Sequence, residues 1–240
     1  MKIRGAHTIL RAVTNALQIK SLVRGTWCVV TSAALAACPH RSETLTPEPT
    51  APLPTAGIAS QQVGVLPLTL VAAEDSLHWD TALGERRVAL AKSDSIIGTL
   101  LKTRAPEVSW LLPDELRRVA RRAPGIAPAP DQMGTAILFH PTKQEPEMVA
   151  DPLRSELRTL AALAGGGRYA LVPAGLTFRR KSQPPAAPPP GRLTATAELT
   201  VVLVDVRTGR VGFRTIARGD GDDPWSALTR AVKSLTPGLP

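Results

Sequence analysis

The sequence predicts an α+β fold: a single domain in which helices pack on a mixed sheet that ends in an antiparallel hairpin and a C-terminal helix. Three observations predict it. The 240 residues are 43% apolar and 20% charged, which is typical of a globular protein with one substantial core. In the first half of the domain, apolar runs of strand length alternate with segments of helical periodicity, as in parallel strands joined by helices. Near the C-terminus such runs follow one another directly, which indicates antiparallel pairing.

The first half of the predicted domain contains two strands separated by a helix. Residues 63–71 form a nearly continuous apolar run, in which Pro67 indicates a bulge or an edge. Apolar residues at helical spacing predict a helix over residues 96–104, with the polar residues 94–95 as candidate N-caps. Residues 108–112 predict a short second strand.

Two further helices each have a proline at the start. Pro113 and the acidic residues after it begin one helix, and arginines follow in its C-terminal turns, where the helix dipole favours cations. Asp151 is the expected N-cap of the next helix, Pro152 lies in its first turn, and Gly165 ends it. Residues 124–150, between the two helices, are rich in proline and predict mostly irregular structure.

Three strands and a final helix complete the predicted domain. Residues 169–179 predict a strand, and the proline-rich segment 181–192 predicts the exposed tip of a hairpin. Residues 193–206 alternate at first and then become apolar on both faces, which indicates a strand that begins half exposed and ends covered on both sides. A returning strand follows directly, and one of the two aspartates before Pro224 is the expected cap of the last helix.

The N-terminal segment, residues 1–37, has the layout of an export signal. It contains five basic residues and no acidic one, and it ends in twelve uncharged, mostly apolar residues, 26–37. That run is shorter than the roughly 20 residues of a membrane-spanning helix. A basic leader, a short apolar stretch and small residues before a cleavage site are typical of a secretory signal peptide.

The end of this run, Leu35, Ala36, Ala37 and Cys38, resembles the lipobox of bacterial lipoproteins. The resemblance implies that the Cys38 thiol receives a diacylglycerol, that the signal is removed, and that the new N-terminal cysteine is acylated again. Pro39 follows where an aspartate would imply retention in the inner membrane, which favours the outer membrane, facing the periplasm. The alternatives are an ordinary signal peptide with an incidental cysteine and a buried N-terminal helix.

The remaining chain divides into a tether and a domain. Residues 38–62 are rich in proline and have no apolar periodicity, which predicts an extended tether with a reach of about 70 Å. Residues 63–240 then form the α+β domain, with the hairpin loop at 181–192.

The positive charge is concentrated in the leader. The formal net charge of the whole chain is +9, but the chain from Cys38 onwards has 24 basic and 20 acidic residues. Such a small excess, with 3% aromatic residues, gives little support for a nucleic-acid partner. Histidines at metal-ligand spacing, a nucleophile elbow and a phosphate-binding glycine loop are all missing from the sequence, so it predicts no metal, cofactor or catalytic residue.

The candidate binding residues are four arginines at the end of the predicted helix that starts at Pro113. Their spacing of i and i+4 gives two neighbouring rows on one helix, suited to an anionic surface such as lipid head groups or a cell-wall polymer. A solvated helix face is the alternative. The four residues are Arg117, Arg118, Arg121 and Arg122.

Residues 201–211, VVLVDVRTGRV, predict a strand with the pattern Asp-x-x-Thr-Gly, and a closing helix follows. In this feature, and in the order of elements over about residues 63–235, the chain resembles a small α/β domain of bacterial envelope proteins. That domain is shared by the TolB amino-terminal domain, the curli-secretion channel lipoprotein and the lipoprotein activators of penicillin-binding proteins. The resemblance implies a periplasmic protein-interaction module rather than an enzyme.

The sequence therefore predicts a lipid-anchored, non-catalytic envelope lipoprotein whose domain binds an envelope protein or the cell wall. Two alternatives remain open. An envelope enzyme acting on peptidoglycan or glycan requires paired carboxylates in a cleft, for which Glu74, Asp75 and Asp80 are the available residues. A secreted small-ligand-binding protein requires a large apolar pocket between sheet and helices.

Overall fold

A mixed six-stranded sheet forms the centre of the structure, a computed structural model that describes residues 50–139, 148–181 and 194–236. The strands pair in the order β3-β1-β4-β5-β6, and β2 also pairs with β4. β1 is parallel to β3 and β4, and β2 is parallel to β4, whereas β4, β5 and β6 are antiparallel. The strands are β1 (Gln62–Val65), β2 (Val71–Ala73), β3 (Ser109–Leu111), β4 (Tyr169–Arg180), β5 (Ala195–Asp205) and β6 (Arg210–Gly221).

The described residues also form five α-helices, which cover both faces of the sheet. On β5, Leu199 and Val201 face a core with α2 and α5, while Val202 and Val204 face a second core with α3 and α4. The predicted α+β class, with a mixed sheet, an antiparallel hairpin and a C-terminal helix, is confirmed. None of the helices in these residues has the length and hydropathy of a membrane span. The helices are α1 (Asp80–Leu83), α2 (Arg86–Arg104), α3 (Pro113–Arg122), α4 (Leu153–Leu163) and α5 (Pro224–Leu235).

The start of α5 follows directly from local sequence. Asp223 is the N-cap, and its carboxylate accepts hydrogen bonds from the backbone N–H groups of Trp225 and Ser226 at 2.9 and 3.1 Å. Pro224 occupies the first helical position, where a missing N–H costs nothing. The predicted cap and start of this helix are confirmed.

Two glycines of β6 let α5 lie directly on the strand. A Cβ atom on Gly219 would overlap the backbone nitrogen of Ala231, and one on Gly221 would lie 2.5 Å from the backbone nitrogen of Ala227. Both neighbours are backbone atoms of the helix and cannot move aside. These positions therefore require glycine because the helix and strand backbones come close together.

The run 63–71 forms two strands, not the single strand expected. β1 ends at Val65 and β2 begins at Val71, and both pair with β4, β1 around Ala170 and β2 around Thr177. Pro67 lies in the interruption and has no N–H to contribute to a ladder. A break in β4 lies between the two pairings, since its register with β5 shifts between Pro173 and Gly175.

The predicted tether over 38–62 is too long. Residues 50–61 belong to the domain: Leu53 and Ile58 are only 5% and 3% exposed and join the core beside α2 and α5. The Leu53 N–H also donates to the Leu235 carbonyl at 2.9 Å. Its prolines give this segment the composition of a linker. Its two buried apolar side chains nevertheless pack in the core and hold the segment to the domain.

The helix expected over 96–104 is ten residues longer at its N-terminal end, which is nearly three turns. α2 begins at Arg86, so that Asp94 lies in its middle, buried, and is not an N-cap. The first half of α2 is buried through Ala89 and Ser93, which are too small or too polar to mark an apolar stripe.

We expect Gly219→Ala to lower the free energy of unfolding by about 1–3 kcal/mol, because its Cβ would force α5 away from β6. Urea unfolding measures the change. Gly212→Ala in the same strand is the matched control, since its nearest neighbour would be the Leu203 carbonyl oxygen at 3.8 Å. An equal loss in the two variants would contradict the close approach of α5 to Gly219.

Candidate functional site

The interruption between β1 and β2 brings a backbone donor to the middle of α2. The Leu68 N–H donates to Asp94 Oδ1 at 2.8 Å. The Asp94 side chain is only 7% exposed. A buried carboxylate is tolerated when hydrogen bonds and an opposite charge compensate for the lost hydration, so a cation is expected next to it.

Arg117 of α3 supplies that cation. Its Nη2 lies 2.8 Å from Asp94 Oδ2 and 2.6 Å from Asp131 Oδ1, and its Nη1 lies 2.8 Å from Asp114 Oδ1. Its Nε also donates to both oxygens of Asp131 at 3.0 and 3.1 Å. One guanidinium thereby joins α2, α3 and the short 3-10 helix Pro130–Gln132.

The pKa values of Asp94 and Arg117 in this network are both raised. Burial raises the pKa of Asp94 to about 6, and the hydrogen bonds from Leu68 and Arg117 oppose that rise only in part. The pKa of Arg117 is raised, most of all by its hydrogen bonds with Asp131. Because burial outweighs the hydrogen bonds from Leu68 and Arg117, Asp94 ionises less readily than an ordinary aspartate.

An open groove of about 1060 Å³ lies beside this network, between α2 and α3. Its apolar lining includes the buried Leu68 and the half-buried Leu90, and small alanine and proline side chains continue it. Its exposed charged side chains are one glutamate and three arginines. Glu85 precedes α2, Arg86 and Arg87 lie in the first turn of α2, and Arg121 lies in the last turn of α3.

The structure separates the four arginines that the sequence grouped together. Arg121 lines the groove and is exposed. Arg117 also lines it, but three carboxylates neutralise its charge, so it supports the groove and is not free for an external anion. Arg118 lies 3.9 Å from Glu115, and Arg122 is exposed outside the groove lining.

Two arginines of the groove were not predicted from the sequence. Arg86 and Arg87 lie more than 30 positions before Arg121, in a stretch that showed no helical periodicity. Arg86 donates from Nη2 to the Thr69 carbonyl at 2.9 Å, which fixes it beside the interruption of the sheet. Within the described residues, neither Arg87 nor Arg121 forms an ion pair with an acidic side chain. The only sequence signal was a pair of adjacent basic residues.

Two features that bear on the alternative functions lie in the described part of the chain. An apolar pocket between α3, α4 and the sheet, near Leu157 and Tyr169, has a volume of about 20 Å³, enough for about one water molecule. It is not the large apolar pocket that a small-ligand site requires.

Glu74, one of the available carboxylates, accepts hydrogen bonds from Ser76 and the Arg180 N–H, which lower its pKa and keep it ionised. No cluster of three metal-ligating side chains occurs in residues 50–139, 148–181 and 194–236.

The lipobox residues Leu35, Ala36, Ala37 and Cys38 lie outside the described residues, as do residues 182–192 of the expected hairpin tip. The Cys38 anchor therefore stays a prediction from the sequence.

Comparisons with known proteins give a distant structural likeness. No protein-family model matches the sequence, and no curated protein matches it significantly. The LpoB C-terminal domain from Salmonella enterica is similar over 69% of this chain and 84% of that one, with 12% identity and a TM-score of 0.34. The hypothetical protein CT253 from Chlamydia trachomatis is similar over 68% of this chain and 74% of that one, with 15% identity and a TM-score of 0.34. Values this low assign neither a family nor an activity.

We expect the free energy of unfolding of the wild type, measured relative to Asp94→Asn, to fall as the pH rises from about 4 to about 7. The pKa of Asp94 is about 6 in the folded protein and about 3.9 in an unfolded chain, so the folded state binds more protons in this window. Protonated Asp94 contributes its full stabilisation below the pKa of the unfolded chain. Raising the pH above the pKa of the folded protein removes about 3 kcal/mol in total. Urea unfolding at several pH values measures it.

The Asp94→Asn variant keeps an acceptor oxygen for the Leu68 N–H and removes the titration at this position. Subtracting its values cancels the contributions of the other carboxylates. A difference that increases with pH would show that the ion pair with Arg117 outweighs the desolvation of Asp94.

Proposed function

We propose that this chain is a bacterial envelope lipoprotein, anchored through Cys38, whose non-catalytic domain binds an anionic partner of the envelope through the groove between α2 and α3. The partner is an envelope protein or the cell wall. The observation that carries the proposal is the position of three exposed arginines from two helices around one partly apolar groove.

Support for the anchor comes from the order of features in the leader. The apolar run 26–37 ends in Leu35, Ala36 and Ala37, and the thiol of Cys38 follows at once. A cysteine elsewhere in the run, such as Cys28, does not have this place relative to the small residues. The expected location is the periplasmic face of the outer membrane, because Pro39 follows the cysteine.

Support for the groove comes from its charge and its rigidity. Arg87 and Arg121 are exposed and keep their charge for an external group. A guanidinium is planar and always protonated, and it binds carboxylates and phosphates through two parallel hydrogen bonds. The ion pairs of Arg117 hold the two helices and the 3-10 helix together, so the groove is formed before a partner arrives.

The anchor predicts that a palmitate analogue labels the wild type in bacterial cells and that Cys38→Ala abolishes the label. Cys28→Ala is the matched control, since the chain has two cysteines, and it should keep the label and the membrane association. Labelling, fractionation and gel mobility measure the outcome. An unlabelled wild type of mature size, released from membranes like Cys38→Ala, would reject the anchor.

The groove predicts that Arg87→Glu and Arg121→Glu each reduce recovery of crosslinked envelope partners at least about tenfold, since each replaces a charge-assisted contact by a repulsion. Arg122→Glu is the control, because Arg122 is the neighbour of Arg121 on the same helix, is also exposed, and lies outside the groove lining. Quantitative mass spectrometry after crosslinking in intact cells measures recovery. Equal losses for Arg121→Glu and Arg122→Glu would assign the effect to net charge and reject the groove.

A further inference from the structure

A second group of arginines surrounds the turn that joins β5 to β6. Arg207 lies in this turn, and its carbonyl accepts a hydrogen bond from Nη2 of Arg158 on α4 at 2.7 Å. The carbonyl of Arg168, just before β4, accepts from the Val206 N–H at 2.9 Å. A helix, the start of a strand and a turn therefore meet here, and each contributes one exposed arginine.

The Asp-x-x-Thr-Gly pattern of the sequence closes this turn. The Asp205 carboxylate accepts hydrogen bonds from the backbone N–H groups of Arg207 and Thr208 at 3.0 and 3.3 Å. Gly209 follows with a φ of +77°, in the left-handed region that glycine adopts without strain. A Cβ at this position would overlap the side chain of Arg154 on α4, so the helix lies directly against the turn.

The positive charge around the turn is only partly balanced. Asp205 Oδ2 lies 2.9 Å from Arg168 Nε, and Asp151 Oδ2 lies 2.6 Å from Arg154 Nη2. Glu156, two positions before Arg158, is half-buried and is the third acidic residue of this region. In the part of the chain that the structure describes, three exposed arginines form no ion pair with a carboxylate: Arg158, Arg207 and Arg210.

One exposed apolar side chain lies beside these arginines. Met148 pairs with Arg210 in an isolated antiparallel bridge, and the Val149 N–H donates to the Gly209 carbonyl at 2.8 Å. Met148 is 46% exposed, although methionine is a residue type that is often buried. We define the turn surface as Met148 together with the five arginines Arg154, Arg158, Arg168, Arg207 and Arg210.

An anionic bilayer attracts both kinds of side chain in the turn surface. Guanidinium groups bind phosphates through two parallel hydrogen bonds, and each basic residue close to the membrane adds to the electrostatic attraction. An apolar side chain such as Met148 is stabilised at the boundary between head groups and acyl chains. A protein interface, by contrast, has a core of several apolar side chains, and the turn surface has Met148 alone.

We infer that the turn surface binds the anionic head groups of a lipid bilayer. This role is separate from the proposed function, because the groove between α2 and α3 is lined by none of the residues of the turn surface. It holds wherever the N-terminal segment lies, because it depends on side chains of the domain alone.

The test uses the full protein, purified from bacterial cells and held on beads by a C-terminal tag. Unlabelled phosphatidylcholine vesicles are added first, so that they take up any N-terminal lipid. Fluorescent vesicles follow, either of phosphatidylcholine alone or with phosphatidylglycerol, and bound fluorescence is measured against lipid concentration. We expect the anionic vesicles to bind at least about tenfold more tightly. This preference should disappear in about 1 M salt, where the screening length is about 3 Å.

The variants connect vesicle binding to the turn surface. Arg158→Ala and Arg207→Ala should each weaken binding of anionic vesicles about fivefold, because each removes one charge without an acidic partner. Arg207→Lys keeps the charge and should stay within about twofold of the wild type. Lys102→Ala is the matched control and should have no effect. Lys102 is exposed, forms no ion pair within the described residues, and lies on α2, which packs on the other face of the sheet.

Equal binding of neutral and anionic vesicles would overturn the inference. Equal losses for Arg207→Ala and Lys102→Ala would do the same, since they would assign the effect to net charge. If anionic vesicles do not bind but recovery of crosslinked partners in cells depends on Arg207, the turn surface is a protein site and not a lipid site. Crosslinking that depends on Arg87 and Arg121 is a separate measurement, so the proposed function of the groove is accepted or rejected independently.

Discussion

The hydrogen bond from the Leu68 N–H to the buried Asp94 carboxylate is the contact on which the arrangement of α2, α3 and the sheet depends. It exists because the ladder is interrupted at Pro67. β4 is also unsuited to pairing there: Pro173, two positions after Leu171, lies on the side of β4 that pairs with β1 and has no N–H to offer. The freed donor needs an acceptor, and Asp94 is that acceptor.

Burying Asp94 has consequences that extend to the groove. Its negative charge needs a counter-charge, which Arg117 provides from α3, and Arg117 in turn holds Asp131. The raised pKa of Asp94 reflects the part of the desolvation that this pairing does not offset. The break in the sheet therefore leads, through Asp94 and Arg117, to the wall of the groove. The residues at the break itself lie on only one side of the groove.

Much of the fold could be predicted because its signals are local. Asp223 caps α5 within three residues, and the pattern of β5 shows which half is covered on both faces. The start of α2 was missed because Ala89 and Ser93 are buried without forming an apolar stripe. The candidate site depends on longer distances in sequence: Asp94 and Asp131 lie 23 and 14 positions from Arg117. The spacing of Arg117 and Arg121 makes them look equivalent, and only these distant partners distinguish a structural arginine from an available one.

Thr50 also covers part of a strand edge at which a second copy of the domain could pair. β6 lies at the edge of the sheet, and a strand edge with unpaired N–H and C=O groups can recruit a strand from a second molecule. The Thr50 hydroxyl occupies the Arg218 N–H and the Ile216 carbonyl, and Met148 pairs with Arg210 near the other end of the strand. At high local concentration copies of the domain meet often, and this covered edge lowers the tendency of such encounters to grow into β-sheet aggregates.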